Sequence, residues 1–315
     1  MNNKSLPKAI FLMGPTASGK TNAAISLLQH YPIELISVDS ALVYKGMDIG
    51  TAKPDAETLK RAPHHLIDLI QPTEAYSAAN FRTDALALMS DITARGKVPL
   101  LVGGTMLYFK ALESGLGNLP EANQAIRDKL DLEAKAFGWP AMHQKLASID
   151  PETAARLMPN DMQRIQRALE VYEASGETMT ALYARQTSEP LPYHMLKLAL
   201  VPSDRKVLHQ RIALRFEQML ADGFINEVKN MLIQYPSLTA DTTSMRCVGY
   251  RQALMYLNGE YDDVELQDRG IFATRQLAKR QLTWLRGMDD VQTVDCINEI
   301  EIKESTNQLV KLFLS

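Results

Sequence analysis

The hydrophobic positions of the chain follow two different patterns along its length. The first is a set of short, almost continuously apolar runs, which are typical of strands buried on both faces of a parallel sheet. These runs are Lys8–Met13, Ile33–Val38, Val98–Val102 and Tyr193–Val201. Stretches with helical spacing separate the runs. Alternation of this kind predicts an α/β fold whose functional loops follow the carboxyl ends of the strands.

The helical stretches also carry start and stop signals. One apolar stripe recurs at the spacing of a single helix face. It consists of Phe81, Ala85, Leu88 and Ile92. Ser77 is placed to cap this helix and Gly96 to end it. A later helix is predicted from a Ser203 cap through Ala221, and another covers Ile271–Arg286.

The second pattern begins near Leu119, where helices follow one another with no strand between them. The predicted helices are Glu121–Phe137, one that opens at Asp150-Pro151, and Asn160–Ala174. Glycines end the first and the last of them, as is common at helix C-termini. We therefore expect an all-helical insertion over residues 119–194. Residues 1–118 and 195–315 would form the catalytic core.

Composition narrows the class of protein. Hydrophobic residues make up 46% and charged residues 23% of the 315 residues, which are ordinary globular values. No apolar run approaches the roughly 20 residues needed to span a bilayer, and the N-terminus lacks a signal-peptide core. The two cysteines form no CxxC pair, so we expect a cytoplasmic protein without a zinc framework. The net charge of -3 means that any nucleic-acid site must be a local basic patch.

A glycine-rich segment after the first strand is the strongest chemical signal. It matches the P-loop pattern GxxxxGK[ST] and lies between a buried strand and an amphipathic helix, as that motif requires. The residues are Gly14, Pro15, Thr16, Ala17, Ser18, Gly19, Lys20 and Thr21. Loop amides and the helix N-terminus favour phosphate, Lys20 reaches phosphate oxygens, and the Thr21 hydroxyl suits Mg²⁺. The fold class is therefore a P-loop-type parallel sheet.

The acid that most nucleotide-binding P-loop enzymes carry is missing at its usual place. Their Mg²⁺-anchoring aspartate follows a later apolar strand, but here Val98–Val102 runs into Gly103, Gly104 and Thr105. Asp39, which follows the second strand, is the carboxylate best placed to face the loop. Two interpretations of Asp39 stay open at this point: an Asx turn at the strand exit, or a base beside a bound phosphate ester.

Several further segments resemble one family. Besides the P-loop, they are residues 39–54 (DSALVYKGMDIGTAKP), 101–105 (LVGGT), 161–170 (DMQRIQRALE), 246–252 (RCVGYRQ) and 273–286 (ATRQLAKRQLTWLR). Together they resemble the bacterial tRNA dimethylallyltransferases, also called tRNA isopentenyltransferases or IPP transferases. The likeness extends from the N-terminus to about Gly287, and the segment after Met288 carries no motif.

The resemblance implies transfer of a dimethylallyl group from dimethylallyl diphosphate to N6 of adenosine 37, beside the anticodon of tRNA. It implies that Asp39 is the general base, that Thr105 contacts the reacting atoms and that Arg215 binds the diphosphate. Arg211 lies one helical turn before Arg215, so both side chains are expected to point one way. Mg²⁺ held by Thr21, rather than ATP, would assist departure of the diphosphate.

The resemblance also implies a set of residues that contact the tRNA anticodon stem-loop. They are Asp39, Ser40, Ala41, Leu42, Arg127, Gln163, Arg164, Ile165, Gln166, Arg167, Arg246, Cys247, Val248, Gly249, Tyr250, Arg251, Lys279, Arg280, Gln281, Leu282, Thr283, Trp284, Leu285 and Arg286. On the last helix, Arg275, Lys279 and Arg286 are expected to share an RNA-facing side. Leu277, Trp284 and Leu285 are expected to pack elsewhere.

Three other functions remain open from the residues. A small-molecule kinase would use the P-loop with ATP, although the missing acid after Val102 argues against it. An adenylate prenyltransferase would run the same chemistry on free AMP. A non-catalytic RNA-binding protein would leave the P-loop and Asp39 without a role. No heptad pattern or self-pairing surface is visible, so we expect a monomer.

Overall fold

The computed structural model describes residues 6–115, 119–185 and 190–315. The chain divides into two compact units, of which one runs to Glu113 and resumes at Leu191 and the other spans Ser114–Pro190. The sequence analysis placed the corresponding boundaries at 119 and 194. Residues 116–118 and 186–189, near those boundaries, lie outside the described ranges.

The first unit is built on a six-stranded sheet in which every pairing is parallel. The strands are β1 (Lys8–Met13), β2 (Ile33–Val38), β3 (His64–His65), β4 (Val98–Gly103), β5 (His194–Val201) and β6 (Val291–Asp295). Their order across the sheet is β3-β2-β4-β1-β5-β6. The predicted α/β fold with a parallel sheet is confirmed.

The helices cover most of the remaining chain. In chain order they are α1 (Lys20–Leu28), α2 (Ala56–Arg61), α3 (Ala78–Ala94), α4 (Met106–Ser114), α5 (Gln124–Phe137), α6 (Trp139–Ile149), α7 (Pro151–Ala155), α8 (Met162–Ser175), α9 (Met179–Ala184), α10 (Arg205–Ala221), α11 (Phe224–Gln234), α12 (Tyr250–Leu257), α13 (Asp263–Leu285) and α14 (Glu299–Leu314). Among the described residues, no helix is both long and apolar enough to cross a membrane.

Side chains of successive strand residues enter two separate hydrophobic clusters, one on each face of the sheet. In β1, Ile10 and Leu12 pack with α1 and α14, whereas Phe11 and Met13 belong to the cluster that includes α3, α10 and α13. This alternation explains why β1 is apolar at nearly every position: both faces are covered by helices. The carboxyl ends of the strands are left for loops.

Several predicted boundaries differ from the structure for local reasons. Asp204, not Ser203, caps α10, since its carboxylate accepts the N–H of Lys206 at 2.8 Å. In α3 the fully buried stripe contains Met89, and Leu88 is only partly buried. Helix α13 begins at Asp263, ahead of the predicted Ile271, because the carboxylate of Asp262 caps it by accepting the N–H of Glu265.

Two strands were not predicted. Strand β3 has two residues, too few for a periodic signal. Strand β6 is an edge strand that pairs only with β5, and its polar residues are largely exposed. Its sequence VQTVD therefore lacks the apolar run that marked the central strands.

The second unit is helical throughout its described residues and has a core of its own. That core joins Leu130 of α5, Met142 and Leu146 of α6, and Ile165 and Leu169 of α8. Helix α5 starts at Gln124, after the predicted Glu121, because the Asn123 side chain accepts the N–H of Ile126 at 3.2 Å. Helix α8 starts at Met162, after the predicted Asn160, and ends at Ser175, where it is followed by Gly176 in the left-handed conformation that favours glycine.

Candidate active site

A cavity of about 1320 Å³ opens at the carboxyl ends of β1, β2 and β4. Its wall includes the loop after β1, residues 39–42 after β2 and residues 102–107 at and after the end of β4. Parallel strands bring these three loops to one edge because their carboxyl ends all point the same way. Side chains from α10 and α13 complete the wall.

The loop between β1 and α1 has the tight curvature expected of a phosphate cradle. Gly19 lies at φ 87° and Ala17 at φ 62°, in the left-handed region that ordinary residues seldom adopt. Gly14 is needed for space instead, since a Cβ there would lie 2.9 Å from the backbone oxygen of Leu200. The loop thus curves around the N-terminus of α1, where backbone dipoles favour a bound anion.

Lys20 lies at the start of α1 with its ammonium group folded back on the loop. Its Nζ donates to the backbone oxygen of Pro15 at 2.6 Å. Burial lowers the pKa of Lys20 to about 8, and the neighbouring Asp39 carboxylate offsets part of that shift. An anion bound in the cavity would restore the charged form, so the site is electrostatically prepared for phosphate.

Asp39 makes the Asx turn and also faces the cavity. Its Oδ1 accepts the N–H groups of Ala41 at 2.8 Å and Leu42 at 3.3 Å. Within the described residues, its Oδ2 accepts no hydrogen bond, and Asp39 lines the cavity. The two interpretations left open by the sequence are therefore compatible, because one oxygen shapes the turn and the other is available for a proton.

Thr105 is held beside Asp39 by the neighbouring loop. Its Oγ1 accepts the N–H of Ser40 at 3.0 Å, and its own N–H donates to the backbone oxygen of Val38 at 3.2 Å. This close approach requires Gly103, where a Cβ would lie 2.0 Å from the Val38 oxygen. The hydroxyl is thus fixed at the cavity wall by contacts between the loops that follow β2 and β4.

The two arginines on α10 have different surroundings although both line the cavity. The Arg211 guanidinium donates to the backbone oxygens of Cys296 and Ile297 at 2.5 and 2.6 Å. Burial lowers the pKa of Arg215, and Asp39 is the one charged group that opposes this shift. Arg211 is therefore bound to the end of β6, whereas Arg215 keeps its donors for a ligand.

The cavity also has a rigid wall between β2 and α2. The Glu227 carboxylate accepts the N–H groups of Asp48, Ile49 and Gly50 at 3.0, 2.7 and 3.2 Å, and the hydroxyl of Tyr250 at 2.5 Å. The Lys53 ammonium donates to the Tyr44 backbone oxygen and to the carboxylates of Asp48 and Asp68. Its distances to these three acceptors are 2.9, 2.7 and 2.5 Å.

Comparison with known proteins assigns this architecture to a family. The sequence profile described as IPP transferase matches residues 42–288. The chain belongs to the IPP transferase family. It is 63% identical over 311 residues to the tRNA dimethylallyltransferase of Methylobacillus flagellatus, covering 99% of this chain and 98% of that protein. It is 59% identical to the enzyme of the same name from Thiobacillus denitrificans, over 94% of each chain.

Solved structures agree with this family assignment. A tRNA isopentenylpyrophosphate transferase from Bacillus halodurans is 36% identical with a TM-score of 0.67, covering 98% of this chain and 99% of that one. A eukaryotic dimethylallyltransferase crystallised acting on tRNA is 27% identical with a TM-score of 0.78. That match covers 98% of this chain and 78% of the eukaryotic one.

Only some of the residues predicted to contact RNA line the cavity of this IPP transferase. The residues that line it are Asp39, Ser40, Ala41, Leu42, Arg246, Cys247, Val248, Gly249, Arg280, Gln281 and Trp284. Tyr250, Leu282 and Leu285 have buried side chains that belong to the core. Arg251, Lys279, Thr283 and Arg286 are exposed outside the cavity wall. Their contacts with RNA remain predictions.

The expectation that Leu277 and Trp284 pack away from the functional side of α13 is wrong. The cavity-facing side of the helix carries Thr274, Leu277, Arg280, Gln281 and Trp284. Arg275, Lys279 and Arg286 do not line the cavity, and their contact with RNA stays a prediction. Trp284 lines the cavity, and the Lys110 ammonium lies over its ring, 5.8 Å from the ring centroid. Helical periodicity groups residues by face but does not say which face meets a cavity.

In the second unit, the predicted RNA contacts have different exposures. Gln163 and Arg164 are exposed, and Arg164 forms an ion pair with Asp161 at 3.2 Å. Ile165 is fully buried, and the Gln166 amide donates to Asp131 at 2.8 Å.

Arg127 and Arg167 both bind the buried carboxylate of Glu170. The N–O distances are 2.9 Å from Arg127 and 2.8 Å from Arg167. Burial favours the neutral form of Glu170. Hydrogen bonds from Arg127, Arg167 and the Asn123 N–H outweigh burial and hold the pKa of Glu170 below its ordinary value.

The cavity also has an apolar side that was not predicted from the sequence. Ile212, Phe216 and Met219 line it from α10, at the spacing that also places Arg211 and Arg215 there. Lys303, from the segment after Met288 that carried no motif, lines it as well. The α10 stripe was readable as a helix face, whereas nothing local to Lys303 pointed to the cavity.

The oxygen donors at the cavity fit Mg²⁺ bound mainly through a diphosphate. Within the described ranges there is no group of three His, Cys, Asp or Glu residues placed to hold a metal. Mg²⁺ needs few protein ligands when phosphates and water supply the rest. The Thr21 hydroxyl lines the cavity, and so does Ser37, whose buried Oγ has no partner within the described part of the chain.

Proposed function

We propose that this chain transfers the dimethylallyl group of dimethylallyl diphosphate to N6 of adenosine 37 in tRNA, releasing diphosphate. The observation that carries the proposal is one cavity lined by both the P-loop and Asp39. An allyl transfer needs both parts at once, since diphosphate leaves on one side and an amine loses a proton on the other. The names of the bacterial relatives support the same reaction.

The donor side of the cavity stabilises the leaving group. As the C1–O bond of the donor breaks, its electron pair stays on the diphosphate, and charge grows on the phosphate oxygens. Loop amides near the α1 N-terminus, the Lys20 ammonium and the Arg215 guanidinium are the groups placed to receive that charge. Mg²⁺ held by Thr21 would neutralise part of it as a Lewis acid. No ATP is required.

The acceptor side handles the adenine amine, which is a weak nucleophile. The N6 lone pair forms the new bond to C1, and one N6 proton passes to the Oδ2 of Asp39. The Asx turn occupies Oδ1 and holds the Asp39 carboxylate in the cavity wall, which leaves Oδ2 for the proton. Thr105 Oγ1, fixed by Ser40, is placed to orient the amine. Proton removal of this kind contributes roughly 10²- to 10⁴-fold to a rate.

The RNA partner would be the anticodon stem-loop with its target base extruded. A base stacked in the loop cannot reach a carboxylate inside a cavity, so adenosine 37 must flip out. Trp284 and Arg280 at the cavity wall offer an aromatic surface and a cation for the extruded nucleotide. We place the reaction in the cytoplasm and expect a monomer to carry it out.

The deciding experiment uses the purified chain, labelled dimethylallyl diphosphate, Mg²⁺ and an anticodon stem-loop, without ATP. We expect N6-dimethylallyladenosine in the nuclease digest, and none from a stem-loop with guanosine at position 37. Transfer to AMP but not to the stem-loop would instead identify an adenylate prenyltransferase. Phosphoryl transfer from ATP without prenyl transfer would identify a kinase. Loss of the modified nucleoside from cells that lack the gene would extend the result in vivo.

A further inference from the structure

Gln281 has a position unlike that of its neighbours on α13. Its side chain is 8% exposed and reaches across to two loops at the carboxyl edge of the sheet. Its Oε1 accepts the N–H of Thr16 at 2.9 Å, and its Nε2 donates to the backbone oxygen of Gly104 at 2.9 Å. One amide therefore joins the P-loop after β1 to the loop after β4.

The amide of Gln281 is fitted closely into this place. A Cβ on Gly104 would lie 2.3 Å from the Gln281 Nε2, so glycine is required there for the side chain to enter. Both partners are backbone atoms, which means that the contact fixes the course of the loops rather than any one side chain. Thr16 belongs to the phosphate cradle, and Gly104 directly precedes Thr105.

The same turn of α13 carries the residues proposed to meet the extruded nucleotide. Arg280 precedes Gln281, and Trp284 lies one turn later; both line the cavity. A displacement of α13 by bound RNA would therefore act on the P-loop through the Gln281 amide. The resemblance had placed Gln281 among the RNA contacts, but its carbonyl oxygen and its amide nitrogen are each engaged by backbone.

We propose that Gln281 is a positioning residue, rather than an RNA contact, which holds the P-loop and the Gly104–Thr105 loop against α13 and couples RNA binding to diphosphate binding. The coupling half rests on the proposed function, whereas the positioning half does not. Each half is measured separately below. If bound diphosphate raises the affinity for RNA by some factor, bound RNA must raise the affinity for diphosphate by the same factor.

The test compares Gln281→Met with Gln267→Met. The first removes both amide contacts at similar volume. The second makes the same change on the same helix, where the Gln267 amide only donates to Glu217 at 3.2 Å, away from the cavity. Inorganic diphosphate with Mg²⁺ is titrated calorimetrically into each protein. The anticodon stem-loop is titrated by fluorescence anisotropy, with and without diphosphate.

For Gln281→Met we expect diphosphate to bind roughly tenfold more weakly, because a misplaced loop loses its aligned amides. Stem-loop affinity without diphosphate should change less than about twofold. The factor by which one ligand raises the affinity for the other is typically about 5- to 150-fold in coupled systems. In Gln281→Met this factor should fall toward one. Gln267→Met should match the wild type. Hydrogen exchange of a peptide covering residues 14–21 should rise only in Gln281→Met.

Either of the following two results would assign Gln281 a different role and overturn the proposal. A loss of stem-loop affinity with unchanged diphosphate affinity would make Gln281 an RNA contact after all. Equal losses of both ligands, with a lower unfolding temperature, would assign it to general packing. If Gln281→Met does not fold, Gln281→Asn replaces it, since that change keeps a neutral amide but shortens the side chain so that it can reach only one of the two loops. That variant should lower the affinity for diphosphate by a smaller factor than Gln281→Met.

The result separates this inference from the proposed function. If the wild-type protein binds no stem-loop, the function proposed above fails, and the coupling half fails with it. The loss of diphosphate affinity in Gln281→Met would still establish the positioning half. Diphosphate affinity that is the same in both variants would refute it even if the enzyme prenylates tRNA.

Discussion

Buried charges are treated in opposite ways in the two units of the chain. In the helical unit, Glu170 is fully enclosed, and two arginines and a backbone N–H satisfy it. In the cavity, Arg215 and Lys20 lose water, which lowers the pKa of each, and neither forms an ion pair within the part of the chain that the structure describes.

Residue type alone does not tell whether an arginine stabilises the fold or binds a substrate. Arg127, Arg167 and Arg215 all matched family positions assigned to substrate. The first two already have Glu170 as a carboxylate partner. Their removal would leave Glu170 as an unpaired buried charge, which destabilises the fold. Arg215 has no carboxylate partner among the described residues, so its charge is available to a ligand. We therefore expect mutations in the helical unit to change stability, and mutations in the cavity to change binding and rate.

The largest effect is expected from Asp39→Asn. Asparagine keeps an oxygen for the turn to Ala41 and Leu42 but cannot accept the N6 proton, so the transfer rate should fall roughly 10²- to 10⁴-fold. The affinities for diphosphate and stem-loop should change little. Single-turnover transfer with labelled donor measures the rate, and Asp91→Asn on α3 is the control. An unchanged rate in Asp39→Asn would remove this residue from the role of base.

The second effect tests the helical unit. Glu170→Ala leaves two arginines and the Asn123 N–H without their acceptor, and we expect the unfolding free energy to fall by about 3 kcal/mol. The value is at the low end for buried pairs because Arg127 and Arg167 keep partial hydration. Glu173→Ala, which removes more exposed pairs with Lys129 and Lys145, should cost less than about 1 kcal/mol.

The two tryptophans of the chain make that measurement specific. Trp139 lies in the helical unit and Trp284 in the catalytic unit. In a Trp284→Phe background, the fluorescence of Trp139 alone follows urea unfolding of the helical unit. Equal losses for Glu170→Ala and Glu173→Ala would show that the buried cluster is no different from a surface pair.

The third effect reverses the expectation for stability. Arg215→Gln should weaken binding of inorganic diphosphate by roughly 10- to 100-fold, since a charge-assisted contact is lost. The unfolding free energy should stay level or rise, because a partly buried charge without an ion pair is removed. Calorimetry and urea unfolding measure the two quantities, with Arg205→Gln at the start of the same helix as the control. A marked loss of stability would place Arg215 with the structural arginines.

The smallest effect is a pH dependence. Free Lys20 loses its proton near pH 8, and a bound anion raises its pKa again, so binding above about pH 8 takes up a proton. Diphosphate affinity should therefore fall as the pH rises, by at most about tenfold per unit. In Lys20→Arg the side chain does not titrate in this range. Calorimetry from pH 7 to pH 9.5 should give a steeper slope for the wild type, and parallel slopes would contradict the assignment.

Local sequence signals were enough to find the central sheet and the elements that bear the cavity. The apolar runs located β1, β2 and β4, and the P-loop and Asp39 follow the first two of these directly. Such signals work because each depends on a few consecutive residues. The polar edge strand β6 and the two-residue β3 offered no such run.

Contacts between distant parts of the chain could not be predicted in this way. The Thr16–Gln281 hydrogen bond joins residues 265 positions apart, and the Glu227–Gly50 bond joins residues 177 apart. The residues next to Gln281 and Glu227 in the sequence give no sign of these distant partners. Trp284 was placed on the wrong side for a related reason, since a helix period does not specify which neighbours a face will meet.

The wall held by Glu227 and Lys53 has a consequence for the thermodynamics of binding. The carboxylate of Glu227 accepts three successive backbone N–H groups, and the Lys53 side chain is only 4% exposed while its ammonium binds three oxygens. This segment is thus already ordered before any substrate arrives. A ligand that meets a preformed wall loses little conformational entropy in the protein. Donor affinity should accordingly be governed by contact enthalpy and ion release, with little contribution from loop closure.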